Sequence, residues 1–252
     1  MEHVSFEQIY WYVNSCPLRK IKEPVLANES KHGIAVRELI HSTLLNLMAC
    51  RMDTKTALAY VANTIPKAKP KTKWDMSERN RIMVADFTYS ALWSAGAWKD
   101  YRGVKAKDFV EVGLNFITHG MKANIDLVRF KRMMDRTYLN LTWVVYAFDL
   151  PNAEERGKLF QYIQYNARAY SLVSNTVPTQ LDIFYPFLNS TLHFIYNPET
   201  TYELVAEMIL KEAYYAVPSV ECNTCRMCPM QWDTSGVLTN KRKKKKKRKR
   251  KK

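Results

Sequence analysis

The chain has 252 residues, 47% hydrophobic and 12% aromatic, enough to bury a substantial core and too apolar for a wholly disordered protein. No apolar run reaches the ~18 residues of a membrane helix, and the opening MEHVSFEQ lacks the basic and apolar regions of a secretory signal. An intracellular protein with no membrane partner is therefore expected. The net charge of +15 comes mostly from residues 241–252, KRKKKKKRKRKK, all of them basic; the rest carries 27 basic and 24 acidic residues.

Along the chain, residues 5–15 are aromatic-rich and lead into Cys16-Pro17. Residues 33–52, led by Gly33, place Val36, Leu39, Ile40, Leu44, Leu47 and Met48 at helical spacing, which predicts a helix with one buried face. Arg37 and His41 lie one turn apart on another face. The Pro- and Lys-rich stretch 65–74 predicts a loop. Asp75, with Glu78 three residues on, predicts the start of a helix running to about Trp98.

From residue 109, FVEVGLNFI, ANIDLVRF and YLNLTWVVYAF are rich in β-branched and aromatic residues and predict three strands, with Gly120 turning the first pair. A helix is expected over 152–173, two further strands around Asn189-Ser190, and a last helix from Pro198-Glu199 to about Ala216. Helices, three strands, helix, two strands, helix is the order of a mixed α/β domain.

Three of the five cysteines, Cys222, Cys225 and Cys228, follow in a C-x2-C-x2-C spacing. In a reducing compartment such a cluster points to metal, as four-thiolate zinc or an iron–sulfur cluster. Cys50, inside the first long helix, reads as a small buried hydrophobe. Cys16, beside a proline, is the candidate fourth ligand, 206 residues from Cys222.

This arrangement resembles the iron–sulfur branch of the PD-(D/E)XK nuclease superfamily, which includes RecB-like and AddB-like nuclease domains and CRISPR-associated RecB-like exonucleases. The likeness is carried by SFEQIYWYVNSCPLRKIKEP, by the Gly33-led helix, by the glycine-then-Asp strand GMKANIDLVRF, by the hydrophobic strand and Gln/Tyr helix after it, and by the terminal cysteines. It covers most of residues 5–232. It implies a restriction-endonuclease-like core, a mixed sheet flanked by helices, with a helical N-terminal part. It also implies a [4Fe-4S] cluster on Cys16, Cys222, Cys225 and Cys228, with Zn2+ as the alternative. The family's terminal cluster is commonly C-x2-C-x5-C, and that pattern would put a ligand at Thr234. Residues 1–234 then form one nuclease-like domain closed by the cysteines, and 235–252 a disordered polybasic tail.

In that family, carboxylates hold Mg2+ or Mn2+ to polarise phosphate and activate water, and a lysine stabilises developing charge. The resemblance makes Asp126 the first acid. In strand context between Ile125 and Leu127 it must face metal or solvent. The family's helix histidine falls at Arg37, with His41 one turn later. The second motif, acid-x-Lys, falls at Tyr146-Ala147-Phe148, and a shift by three gives Asp149 without lysine. The triplets Glu29-Ser30-Lys31 and Asp53-Thr54-Lys55 precede Asp126 and lie outside the strand region. Gln161 and Tyr165 match the family's DNA-positioning Gln-x-x-x-Tyr helix.

The expected function is a DNA-binding protein of nuclease fold with weak or no catalysis. Its DNA would be single- or double-stranded, with replication or recombination proteins as further partners. An active exonuclease or endonuclease using Asp126 and Asp149 is one alternative, and a zinc-stabilised interaction module is another. The tail, including Lys241, Arg242, Lys243, Lys244 and Lys245, would bind phosphate backbones through counterion release. In a eukaryotic host it would serve as a nuclear-import signal.

Overall fold

The computed structural model describes residues 3–15, 24–26, 29–64, 77–133, 136–211, 230–232 and 238–240. They divide into two compact units, one on residues 1–25, 119–122 and 201–252, the other on 26–118 and 123–200.

The first unit contains helices α1 (Phe6–Asn14) and α6 (Tyr202–Leu210), which pack together. Ser5 caps α1 in a reciprocal box with Gln8, and Phe6 and Ile9 form its buried stripe. Val4 pairs with Met121 as an isolated parallel bridge, through Val4 N to Gly120 O and Lys122 N to Val4 O. His119 and Gly120 both have positive φ, 46° and 73°, the conformation of a two-residue hairpin turn. At Gly120 a Cβ would also lie 2.5 Å from Leu210. Short strands β6 (Met230–Trp232) and β7 (Leu238–Asn240) pair antiparallel.

The second unit holds α2 (Lys31–Met48), α3 (Thr54–Thr64), α4 (Glu78–Tyr101) and α5 (Ala153–Ser174). The sheet runs in the order β1 (Phe109–Thr118), β2 (Met121–Met133), β3 (Arg136–Val144), β4 (Gln180–Tyr185) and β5 (Ser190–Phe194). β2 and β3 are antiparallel, β3 and β4 parallel, β4 and β5 antiparallel. The parallel pair follows from α5, because only a crossover can return the chain in the same direction. No helix among the described residues is long and apolar enough to cross a membrane.

Strand alternation sorts the central strands onto two cores. Leu139, Leu141 and Trp143 join Leu181, Ile183 and Tyr185 beneath Ile163 and Ala167 of α5. Leu127, Val144 and Phe184 pack with α2, α3 and α4 on the other face. Strands covered on both faces explain the nearly continuous apolar run of LDIFYPFL.

The α/β class, the five strands and the long helices agree with the sequence reading, with shifts at the ends. α4 starts with Ser77 at its cap position; the expected cap, Asp75, lies outside the described residues. Asn152 and Glu155 form a reciprocal box at the start of α5, and Asn175, with φ 52°, ends it in the left-handed region tolerated by Asn. Helix α3 was not anticipated. Asp53, set aside as half of an acid-x-Lys triplet, caps it by accepting from Thr56 N. Those hydrogen bonds from Thr56, backbone first, hold the Asp53 carboxyl below its ordinary value. β3 stops at Val144, so Tyr146 and Phe148 lie beyond the strand.

Candidate functional site

A cluster of five side chains forms where β3 leaves the sheet. Its scaffold is a close approach between backbones. At Gly33, in the first turn of α2, a Cβ would fall 2.1 Å from the Tyr146 carbonyl oxygen, so no other residue fits without moving the helix. Ser30 caps this turn by accepting from Gly33 N at 3.0 Å. The residue before it, Glu29, is thereby delivered to the end of β3.

Glu29 accepts from Tyr146 N at 2.9 Å and from both Nε and Nη2 of Arg37, each at 2.8 Å. This is the paired fork geometry in which guanidinium recognises carboxylate most strongly. Arg37 also donates to Val144 O and lies 5.0 Å above the Tyr146 ring. Burial opposes the Arg37 charge, but Glu29, with help from Asp126, outweighs it and holds the guanidinium protonated beyond its ordinary range.

Asp126 sits where the β2–β3 register ends, one residue before the Leu127–Thr142 pair. Its Oδ2 accepts from Val144 N at 2.7 Å, so a side chain replaces the next rung of the ladder. Its Oδ1 lies 3.2 Å from His41 Nε2, and His41 Nδ1 lies 3.2 Å from Tyr146 Oη. A carboxylate can only accept. A neutral His41 therefore donates from Nε2 and accepts the phenolic proton at Nδ1. Burial pushes the Tyr146 phenol well above its ordinary value; Arg37 opposes this, and Asp126 and Glu29 reinforce it.

The structure thus brings together Asp126 and His41, both named from sequence, with Arg37, which stands at the family's histidine position. It adds Glu29 and Tyr146, which sequence reasoning passed over. The exclusion of the Glu29-Ser30-Lys31 triplet holds for Lys31, which is exposed, but not for Glu29. The clue was the cap: an acid just before Ser30, with Gly33 three residues on, arrives wherever the start of α2 docks.

Asp149 is exposed beyond β3 and stands outside this hydrogen-bonded cluster. Phe148, at the expected lysine position, stacks on Phe187 (4.9 Å, 19°) and packs on Phe87 at 4.6 Å. On α5, Tyr165 is buried and Gln161 is half-buried. The neighbouring Gln164 is buried and ties down the chain after β5, donating to Ile195 O and accepting from Asn197 N. Cys50, expected as a buried residue inside the helix, lies two residues past the end of α2 with φ 56° and is half-buried; it packs at the core edge and donates to Val104 O, and burial raises its thiol. Cys16, Cys222, Cys225, Cys228 and the basic residues Lys241, Arg242, Lys243, Lys244 and Lys245 lie outside the described residues.

As arranged, the cluster does not fit a divalent ion. Both Glu29 oxygens are held by Arg37, and both Asp126 oxygens by His41 and Val144 N. Among the described residues no group of three or more His, Cys, Asp or Glu side chains is placed to hold a metal. What the cluster offers is a guanidinium one-third exposed to solvent, fixed among two carboxylates, an imidazole and a phenol. No protein-family model matches this chain, and no curated protein does.

Proposed function

We propose that the chain is a DNA-binding protein built on a PD-(D/E)XK nuclease-like core whose catalytic centre has been converted to an internally neutralised cluster. The observation that carries this reading is Arg37. Its guanidinium pairs with both oxygens of Glu29 and acts electrostatically on Asp126, the compensation a nuclease takes from a cation in solution. A fixed cation compensates the carboxylates and orients a phosphate, but it does not acidify water as a bound metal does. The five-stranded mixed sheet flanked by helices is a general α/β fold; within it, the α5 crossover from β3 to a parallel β4 and the Gly33-led helix against the chain just after β3 support this reading.

In this reading the four cysteines bind a [4Fe-4S] cluster and the basic tail supplies nonspecific attraction to phosphate backbones. The setting is replication, recombination or repair. The full chain, purified without oxygen, is expected to bind single- or double-stranded DNA and to leave it uncut in Mg2+ or Mn2+. Robust cleavage that disappears in Asp126→Ala would overturn the loss of catalysis. A colourless protein with stoichiometric zinc would overturn the iron–sulfur assignment.

A further inference from the structure

A second polar cluster lies on the same face of the sheet, towards the other end of β3 and β4. Its centre is Asp182, whose side chain is 1% exposed. Oδ1 accepts from His193 Nδ1 at 2.7 Å and Gln180 Nε2 at 2.8 Å. Oδ2 faces Arg102 Nη2 at 3.0 Å and Asn140 Nδ2 at 2.9 Å. Thr142 donates to Asn140, and Tyr138 to Gln180. The carboxylate is saturated and its negative charge is kept from solvent.

Exposure rises outward from it, to 16% for Arg102 and 48% for His193. Solvent therefore meets the guanidinium and imidazole rather than the acid. Arg129 extends the cluster inward: it is buried, donates to Arg102 O, and lies 3.8 Å from Asp108. The Nε atoms of Arg102 and Arg129 are both buried without an acceptor. Arg129 Nε faces Asp108 Oδ2 at 3.8 Å, which leaves Arg102 Nε as the orphaned donor, costly unless something brings an oxygen atom to it.

We infer that Arg102 and His193 form a binding site for a phosphate-class oxyanion. Arg102 supplies N–H donors of the fork type that matches such an anion, with Arg129 buried behind it, donating to Arg102 O and paired with Asp108. His193 Nδ1 lies 2.7 Å from Asp182 Oδ1, and Arg102 Nη2 lies 2.8 Å from Nδ1 and 3.2 Å from Nε2, so the half-exposed imidazole rests against the guanidinium and adds a second charge beside it when protonated. The charged and titratable groups around it are Asp182 on β4, Tyr138 on β3, Arg129 on β2, and Arg102 with Asp108 in the α4–β1 connection. The last turn of α4 contributes Lys99 and Asp100, paired with each other at 3.7 Å. Tyr101, 83% exposed beside Arg102, offers a ring for a nucleobase if the phosphate belongs to a nucleic acid. The site shares no residue with the Arg37 cluster.

The test is imidazole NMR of the full chain, titrated with inorganic phosphate in one arm and a single-stranded oligonucleotide lacking terminal phosphates in the other. Bound oxyanion is expected to raise the His193 titration midpoint by roughly half to one pH unit. His193→Gln, which keeps a donor for Asp182, is expected to weaken binding at pH 6 roughly three- to tenfold and to remove its pH dependence. A shift with phosphate alone identifies a free anion, and a shift with the oligonucleotide identifies backbone phosphate. A midpoint that moves with neither ligand, or that still moves in Arg102→Gln, overturns the site.

Discussion

The two polar clusters use nearly the same parts and hold them differently. Each has an aspartate on a central strand, an arginine from the helical layer, a histidine and a tyrosine. At the Asp126 cluster each carboxylate takes one of its hydrogen bonds from backbone, Asp126 from Val144 N and Glu29 from Tyr146 N, beside those from His41 and Arg37. At the Asp182 cluster they are held entirely by side chains. Backbone donors come with the fold and persist whatever side chains surround them. A side-chain cage fails when any member is lost. The first cluster should therefore tolerate substitution better than the second.

The sharpest way to break that contrast is to remove each acid in turn. Asp182→Ala strands Arg102 beside a buried cavity and should cost about 3–5 kcal/mol. Asp126→Ala, which removes a side chain 12% exposed against 1% for Asp182, should cost about 1–2 kcal/mol. Equal losses in urea unfolding would erase the distinction. Next in size is Gly33→Ala, which tests whether the backbone approach builds the Asp126 cluster. Overpacking against Tyr146 O should cost about 1–3 kcal/mol, and the Glu29–Tyr146 bond should be lost with it.

The smallest effect is Tyr146→Phe, at about 0.5–1.5 kcal/mol for the bond to His41. Its signature is in the pH profile. The folded Tyr146 phenol titrates above its unfolded value near 10. Above that pH the unfolded chain loses this proton while the folded chain keeps it, so stability present at lower pH declines as pH rises further. Tyr146→Phe should flatten that alkaline decline in unfolding measurements.

The same contrast explains what could be read from sequence. The five strands were legible because β-branched and aromatic runs have few alternatives. α3 was not, because among its described residues Ala57 and Val61 alone belong to the fully buried core. Asp126 was legible as an acid between apolar neighbours. Asp182, between Leu181 and Ile183, carries the same signal and was overlooked because no motif drew attention to it. Glu29 left no such trace: it sits in a connection, and its partners are a backbone amide and an arginine eight residues on. Phe148 shows the opposite limit, since its departure from acid-x-Lys was visible but its aromatic partners, Phe87 and Phe187, were not.

Because the ladder between β2 and β3 gives way at Asp126 to a side-chain acceptor, the Val144 amide becomes a reporter of the site. Its hydrogen is protected only while Asp126 faces its own strand. Any cation or ligand that draws the carboxylate away releases that single amide to exchange with solvent, while the Leu127–Thr142 pair beside it stays locked. The protein thus carries an internal gauge of whether its central acid is occupied by itself or by something else.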